Sequence, residues 1–264
     1  MTGPADPDPW VERWRRDIAA ATASAHDQPG PQVCGDLVKG DDRVTGDDGL
    51  LHQARVEEAG VDLLTRWREP HRRYHDLNHL DAVLTALDLL TGGPTTDENP
   101  PGENVTGENV TSPVVVARLS AWFHDAVYAG RPGQDEAASA DLAVAVLTRL
   151  GMPRAVVTEV DRLVRMTADH ADRPAGATED RAGALLSDAD LAILAAPEAD
   201  YRRYTQAVRA EYAHVSDADF RRGRAAVLQR LLAAEPLYRT ETGRRLWQDA
   251  ARANLRAELG LLTS

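Results

Sequence analysis

The sequence predicts an all-α protein, and three observations carry that reading. Apolar residues recur at intervals of three and four over several stretches, Ala and Leu are abundant while aromatic residues make up only 5%, and strand-like apolar–polar alternation is hard to find. A short first helix is expected around Trp10 to Ala23. The stretch His26 to Gly49 is rich in Gly, Asp and Pro and reads as a loop. Leu80, Val83, Leu84, Leu87 and Leu90 then fall at helix spacing directly after His79. From Thr91 to Pro113 the chain carries a tandem Gly-Glu-Asn-Val-Thr repeat, Gly102 to Thr111, too short for a solenoid unit and expected to be a tolerated loop insertion.

Val115 to Tyr128 is an apolar run of helical length. Leu142, Val146 and Leu150 mark a further helix, ended by Gly151 and restarted at Pro153, and Val157, Val160 and Val164 continue the pattern. Asp169 to Glu179 carries Pro, Gly and Asp between helical segments, so a loop bordering a site near His170 is expected there. Tyr201, Tyr204, Val208 and Tyr212 share a helical face, as do Phe220, Val227 and Leu231; Trp247, Ala251, Leu255 and Leu259 suggest a closing helix. All of these stripes are expected to face a core. With 264 residues, of which 43% are hydrophobic, one domain spanning 1–264 is expected, with flexible loops at 26–49 and 91–113.

Composition narrows the function classes. A net charge of −12 and a pI near 5.1 argue against a general electrostatic surface for nucleic-acid polymers, while small anionic ligands remain open to a local cation. Lys39 is the one lysine, and the prevalence of arginine reflects genome composition as readily as phosphate recognition. Cys34 has no partner for a disulfide, the N-terminal stretch has no apolar signal-peptide core, and no apolar run reaches about 18 residues. A cytoplasmic protein with no membrane span is the expectation. The glycosylation-like triplets at Asn104 and Asn109 are then accidental.

The residues with chemistry are His79, the adjacent His124 and Asp125, and an aspartate between Ser187 and Leu194. Two imidazoles and two carboxylates on or beside helices suit a divalent transition metal. Neighbours on a helix point about 100° apart, so joint ligation by His124 and Asp125 needs a local distortion or an ion between their directions. A metal would also offset the cost of a carboxylate in so apolar a segment. For an isolated His-Asp pair the plainer reading is a helix end satisfied by backbone groups.

In order and approximate spacing, His79, His124-Asp125 and Ala189-Asp190-Leu191 resemble the H…HD…D signature of the HD superfamily of metal-dependent phosphohydrolases. Tyr74 to Val83 resembles the tyrosine-histidine-asparagine…histidine motif of the cyclic-nucleotide phosphodiesterases, a branch of that superfamily. The run from about Arg72 to Glu258 is similar to a group of bacterial proteins described as predicted HD-type phosphohydrolases.

The resemblance implies an HD-domain helical bundle with additional C-terminal helices. It also implies one divalent ion (Mn, Fe, Co, Ni, Zn or Mg) held by His79, His124, Asp125 and Asp190. Asp190 is preferred to Asp188 because Ala-Asp-Leu matches the superfamily's context, leaving Asp188 to cap a helix or support a ligand. His75, four before His79 and on its face if the helix has begun, matches the phosphodiesterase proton donor; a structural histidine is the alternative. Asp125 or a neighbouring carboxylate would orient the water. Arg72, Arg73, His170 and Arg209 are candidates for substrate contact, surface arginine being the plainer reading of the three cations. Many dinuclear members have a further histidine shortly after the HD pair, where this chain has Tyr128; His170 or Glu136 would then serve a second ion, orient a ligand or touch substrate.

The expected function is metal-dependent hydrolysis of a small phosphate ester, nucleotides among the candidates. A non-catalytic nucleotide or metal sensor is the alternative. An iron redox enzyme is a third reading, disfavoured by the missing histidines.

Overall fold

The computed structural model describes residues 8–26, 46–93, 112–170 and 180–263, and over them the chain is helical, with no strand. The helices are α1 (Pro9–His26), α2 (Gly46–Trp67), α3 (Leu77–Thr91), α4 (Pro113–Phe123), α5 (Gln134–Arg149), α6 (Arg154–Met166) and α7 (Arg181–Asp190). A 3-10 turn (Leu191–Ala195) follows, then α8 (Glu198–Glu211), α9 (Asp217–Ala233) and α10 (Glu241–Thr263). The all-α expectation holds. No helix is long and apolar enough to cross a membrane, among the described residues. The repeat Gly102 to Thr111, Cys34, Lys39, both glycosylation-like triplets and most of the loops expected at 26–49 and Asp169 to Glu179 lie outside the described residues.

The expected stripes face two packed clusters. Along α3, Leu80, Val83, Leu84 and Leu87 are buried, and on α6 Val157, Val160 and Val164 join them in a core built from α1 to α7. The second cluster gathers Leu194, Tyr201, Leu228, Leu231, Tyr238, Ala251 and Leu255 from the 3-10 turn, the last three helices and the segment between α9 and α10, with Trp247 packed against both. At full burial a leucine or valine side chain contributes about 1.5–3 kcal/mol, so these stripes are the main source of stability.

Three tryptophans show how the first core meets its polar obligations. Trp14, Trp67 and Trp122 are fully buried, and each indole N–H finds an acceptor: Val56 O at 2.7 Å, Trp122 O at 3.0 Å and Asp17 Oδ2 at 2.8 Å respectively. Asp17 also accepts from Arg118 Nε at 2.8 Å, and Arg118 reaches Asp88, so one guanidinium ties α1, α3 and α4 together. α2 has no counterpart among the helices expected from the sequence, yet it supplies Val56, Ala59, Leu63, Leu64 and Trp67 to this core.

Between α5 and α6 the chain reverses as expected. Gly151 takes φ +75°, a left-handed conformation that disfavours a side chain, and Met152 N–H donates to Leu147 O at 3.0 Å, closing the helix end.

Candidate metal centre

The site is assembled from three pieces of chain. The first is the turn before α3, where Asp76 caps the helix by accepting from Asn78 N–H (2.8 Å) and His79 N–H (3.3 Å). The cap places His79 in the first turn of α3 and His75 before the helix begins. His75 and His79 therefore do not share a helical face. Their rings still approach, with centroids 5.6 Å apart, because the turn is held from elsewhere.

The second piece answers the geometric problem of adjacent ligands. α4 stops at Phe123, His124 keeps one last helical bond to Ser120 O (2.9 Å), and Asp125 lies in the turn beyond it. The apolar segment to Tyr128 is thus helix only in its first part. Ending a helix frees backbone carbonyls that need donors. Those of Ser120, Ala121, Trp122 and Phe123 accept from His124 N–H, His124 Nδ1, Trp67 Nε1–H and Ala126 N–H, and Arg72 holds the turn beyond: Nη1 donates to Asp125 O and His75 O, both at 2.8 Å, and Nη2 donates to Ala126 O at 3.1 Å. Its remaining N–H groups face Glu69, and the guanidinium lies between the rings of Trp67 (5.3 Å) and Tyr128 (5.6 Å).

The third piece is the end of α7. Asp188 and Asp190, two apart on the helix, point to different partners. Asp188 is fully buried and accepts from Arg239 N–H, Thr240 N–H and Thr240 Oγ1–H, each at 2.7 Å, while Thr240 Oγ1 accepts from Gly243 N–H at the start of α10. It supports the cap of a distant helix. Asp190 faces the histidines, and the 3-10 turn that follows is gripped by Tyr238, whose hydroxyl donates to Leu191 O, and by Asn254, which donates to Leu194 O and Ala196 O.

At the centre, His79 Nε2 and His124 Nε2 are 3.1 Å apart. Asp125 Oδ2 lies 3.2 Å from His124 Nε2 and 3.7 Å from His79 Nε2. Asp190 Oδ1 lies 3.1 Å from His79 Nε2 and 3.6 Å from His124 Nε2. His124 Nδ1 donates to Ala121 O at 2.7 Å, which leaves Nε2 with its lone pair toward the cluster. Ligand atoms about 2.1 Å from one cation are about 3.0 Å apart at right angles and about 3.4 Å apart at the tetrahedral angle, so the separations among His79, His124 and Asp125 suit a single ion. His79, His124 and Asp125 form a mutually close group that can hold a metal ion; Asp190, near both imidazoles, stands outside that mutual set.

The electrostatics favour added positive charge. Burial works against protonating His124, but the Asp125 and Asp190 carboxylates outweigh it and push the imidazole up to about 9. His79 is depressed by its burial, despite Asp190. Burial tends to raise Asp125 and Asp190, yet the facing histidines hold both carboxyls below their ordinary range. A proton on His124 compensates two carboxylates here, which is the role a cation would take.

No protein-family model and no curated protein matches this chain.

The other expected residues divide. His170 comes to the site: its Nε2 is 3.0 Å from Asp190 Oδ2 and its Nδ1 3.1 Å from Ser187 Oγ, so it orients Asp190 while also lining the cavity. Glu136 lines the same cavity and accepts from Gly133 N–H. The three arginines are corrected. Every N–H of Arg72 is engaged by carbonyls or Glu69, leaving none for substrate. Arg73 is exposed and folds its guanidinium back onto Pro70 O and Arg72 O. Arg209 closes the turn after α8 through Tyr212 O, Val215 O and Asp217, over the ring of Phe220.

Glu211 is the principal residue that sequence reasoning missed. Its Oε1 accepts the backbone N–H groups of Arg73 (2.7 Å), Tyr74 (2.8 Å) and His75 (3.0 Å). Its Oε2 accepts from His75 Nδ1 at 2.7 Å and from the Tyr128 hydroxyl at 3.0 Å. The imidazole of His75 also stacks on Tyr128, centroids 4.3 Å apart. One carboxylate from the end of α8 thereby sets both the turn and the tautomer of His75. The available signal was faint: an acid three residues after Val208 on the stripe that carries Tyr201 and Tyr204.

The cavity over the cluster measures about 180 Å³ and is lined by His75, Asp125, Glu136, Thr167, His170 and Asp190 together with several tyrosines. Larger grooves run along α1–α2 and α5–α6, lined by residues such as Ile18 and His52 or Val144 and Val157, but away from the His/Asp set.

Proposed function

We propose that the protein is a metal-dependent phosphohydrolase that holds one divalent ion with His79, His124, Asp125 and Asp190. The observation that carries this reading is the convergence of two imidazole nitrogens 3.1 Å apart with two carboxylates that each lie 3.1–3.7 Å from both nitrogens, beside a cavity lined by His75, whose Nδ1 is held by Glu211. When bound, the ion would supply positive charge that polarises a phosphoryl group and acidifies a water.

The remaining chemistry belongs to the chain. Glu211 accepts the Nδ1 proton of His75, so Nε2 is the nitrogen left for exchange with substrate. Burial disfavours the imidazolium, but the Asp125 and Glu211 carboxylates prevail and raise its pKa above the ordinary value, which suits a proton donor. Asp125 orients the attacking water. The ester P–O bond breaks as the new P–O bond to water forms, and the departing alkoxide takes the His75 proton. One proton of the water stays on the phosphate product and the other restores His75. His170 keeps Asp190 in place throughout.

The test is metal analysis of the purified protein together with a phosphate-release screen over simple phosphoesters and nucleotides, repeated with His124→Ala and Asp125→Ala. Loss of both metal and phosphate release in the variants supports the reading. Full metal occupancy in both variants sinks the site. Metal binding by the unaltered protein without any turnover favours a sensor instead.

A further inference from the structure

The wall of the candidate site has a charge pattern unlike a nucleotide pocket. Among the described residues Asp125, Glu136 and Asp190 line it and no lysine or arginine does, and Arg72, Arg73 and Arg209 are engaged elsewhere. Of the described residues on the wall, only His75 and His170 can carry positive charge. A cavity of about 180 Å³ corresponds to about six water volumes at about 30 Å³ each. It falls below the roughly 300–1,000 Å³ usual for drug-sized ligands. Once a phosphoryl group is seated at the His/Asp set, a few further heavy atoms fill the remaining space.

What meets those atoms is acidic and aromatic. Glu136 stands at the start of α5, where Gly133 N–H is its backbone partner, and it faces the cavity beside Tyr128, Tyr204 and Tyr212. The faces of two of these rings are already engaged, by His75 and Arg72 at Tyr128 and by Arg224 at Tyr204 (5.2 Å), so the carboxylate rather than the rings dominates. A second phosphate or a carboxylate on the substrate would be repelled by these carboxylates. An ammonium would be attracted there by the same field.

We propose that the substrate is the phosphomonoester of a small amino alcohol and that Glu136 is the residue that selects its ammonium group. The inference rests on the phosphohydrolase reading for the phosphoryl end and on the cavity wall for the rest.

The test compares phosphoethanolamine and phosphocholine with the similar-sized but anionic phosphoglycolate and with AMP. Both phosphate release and calorimetric binding to the metal-loaded protein are measured, for the unaltered chain and for Glu136→Gln. The ammonium esters should bind and react at least about tenfold better than phosphoglycolate or AMP, with the margin shrinking to about threefold or less in Glu136→Gln. Equal or tighter binding of phosphoglycolate or AMP overturns the proposal, as does an unchanged margin in the variant. Binding selectivity decides the matter even if the variant misfolds, because the unaltered protein alone can fail it. If no ester is hydrolysed yet the ammonium preference persists in binding, the hydrolytic reading fails and the selectivity stands. If all esters are hydrolysed without charge preference, the reverse holds.

Discussion

Asp188 and Asp190 are two residues apart and do unrelated work, which makes them a sharp pair to separate. Asp190→Asn should weaken metal binding by at least about tenfold, because the carboxylate that faces both imidazoles loses its charge. Asp188→Asn should leave metal affinity near wild type but cost about 1–3 kcal/mol of stability, since an amide N–H₂ would be turned toward N–H donors that now find acceptors. Metal titration and urea unfolding of both variants decide this, and the reverse order would make Asp188 the ligand. His75→Ala should keep its metal while losing roughly a hundredfold in turnover on alkyl esters, the usual scale for a general acid. The loss should be much smaller on nitrophenyl phosphate, whose leaving group needs little protonation. Equal losses on both, with metal also lost, would make His75 a structural support. Arg72 shows the limit of residue-level reading: an arginine beside a catalytic motif looks like an anion contact. Its acceptors at Asp125 and Ala126 lie 53 and 54 residues away and cannot be seen from spacing.

Among the elements, the α5–α6 turn depends most plainly on one residue. Gly151→Ala places a side chain at φ +75°, where the space is open but the backbone conformation is costly, so a loss of about 1 kcal/mol is expected with metal affinity unaltered. Thermal unfolding and a metal titration check both halves, and a neutral substitution would mean the turn relaxes. The helices that were legible, α1, α3, α5, α6 and α8 to α10, are those whose apolar residues recur at helical spacing and pack against one of the two clusters. α2 carries Val56, Ala59, Leu63, Leu64 and Trp67 at helical spacing, yet Leu50, Leu51 and Val61 are exposed on its other side and blur the stripe. The HD pair was legible as a motif. That α4 would end between Phe123 and Asp125 was not, because the turn beyond it is held by a guanidinium from another element, Arg72 donating to Asp125 O and Ala126 O. The start of α3 was left open for a similar reason: Asp76 caps it, so His75 reaches the site through Glu211 rather than through helical periodicity.

Across the whole molecule, Glu211 joins the end of α8 to the turn before α3. Burial would raise its carboxyl, but the His75 imidazole and the N–H groups of Tyr74 and Arg73 hold it at about 2, below the ordinary 4.5. A depressed carboxyl contributes stability that is fully present above its unfolded pKa and is lost as pH falls through the folded one. The contribution, on the order of 3 kcal/mol, should therefore disappear between about pH 4.5 and pH 2. Urea unfolding across that range should show the unaltered protein losing its advantage over Glu211→Gln as the solution is acidified. A constant difference between the two would mean that Glu211 is not held in this way. The same contact also orders events in time. His75 and Glu211 are 136 residues apart. A ribosome adding about 5–20 residues per second needs roughly 7–27 s to cover that distance. His79, His124 and Asp125 are therefore all synthesised while the carboxylate that orients the proton donor does not yet exist, and Asp190 follows them by 65 residues (190 − 125). For the phosphohydrolase proposed above, a nascent chain would hold three of the four ligands before the partner of its acid, so capture of an ion would precede competence for turnover during biogenesis.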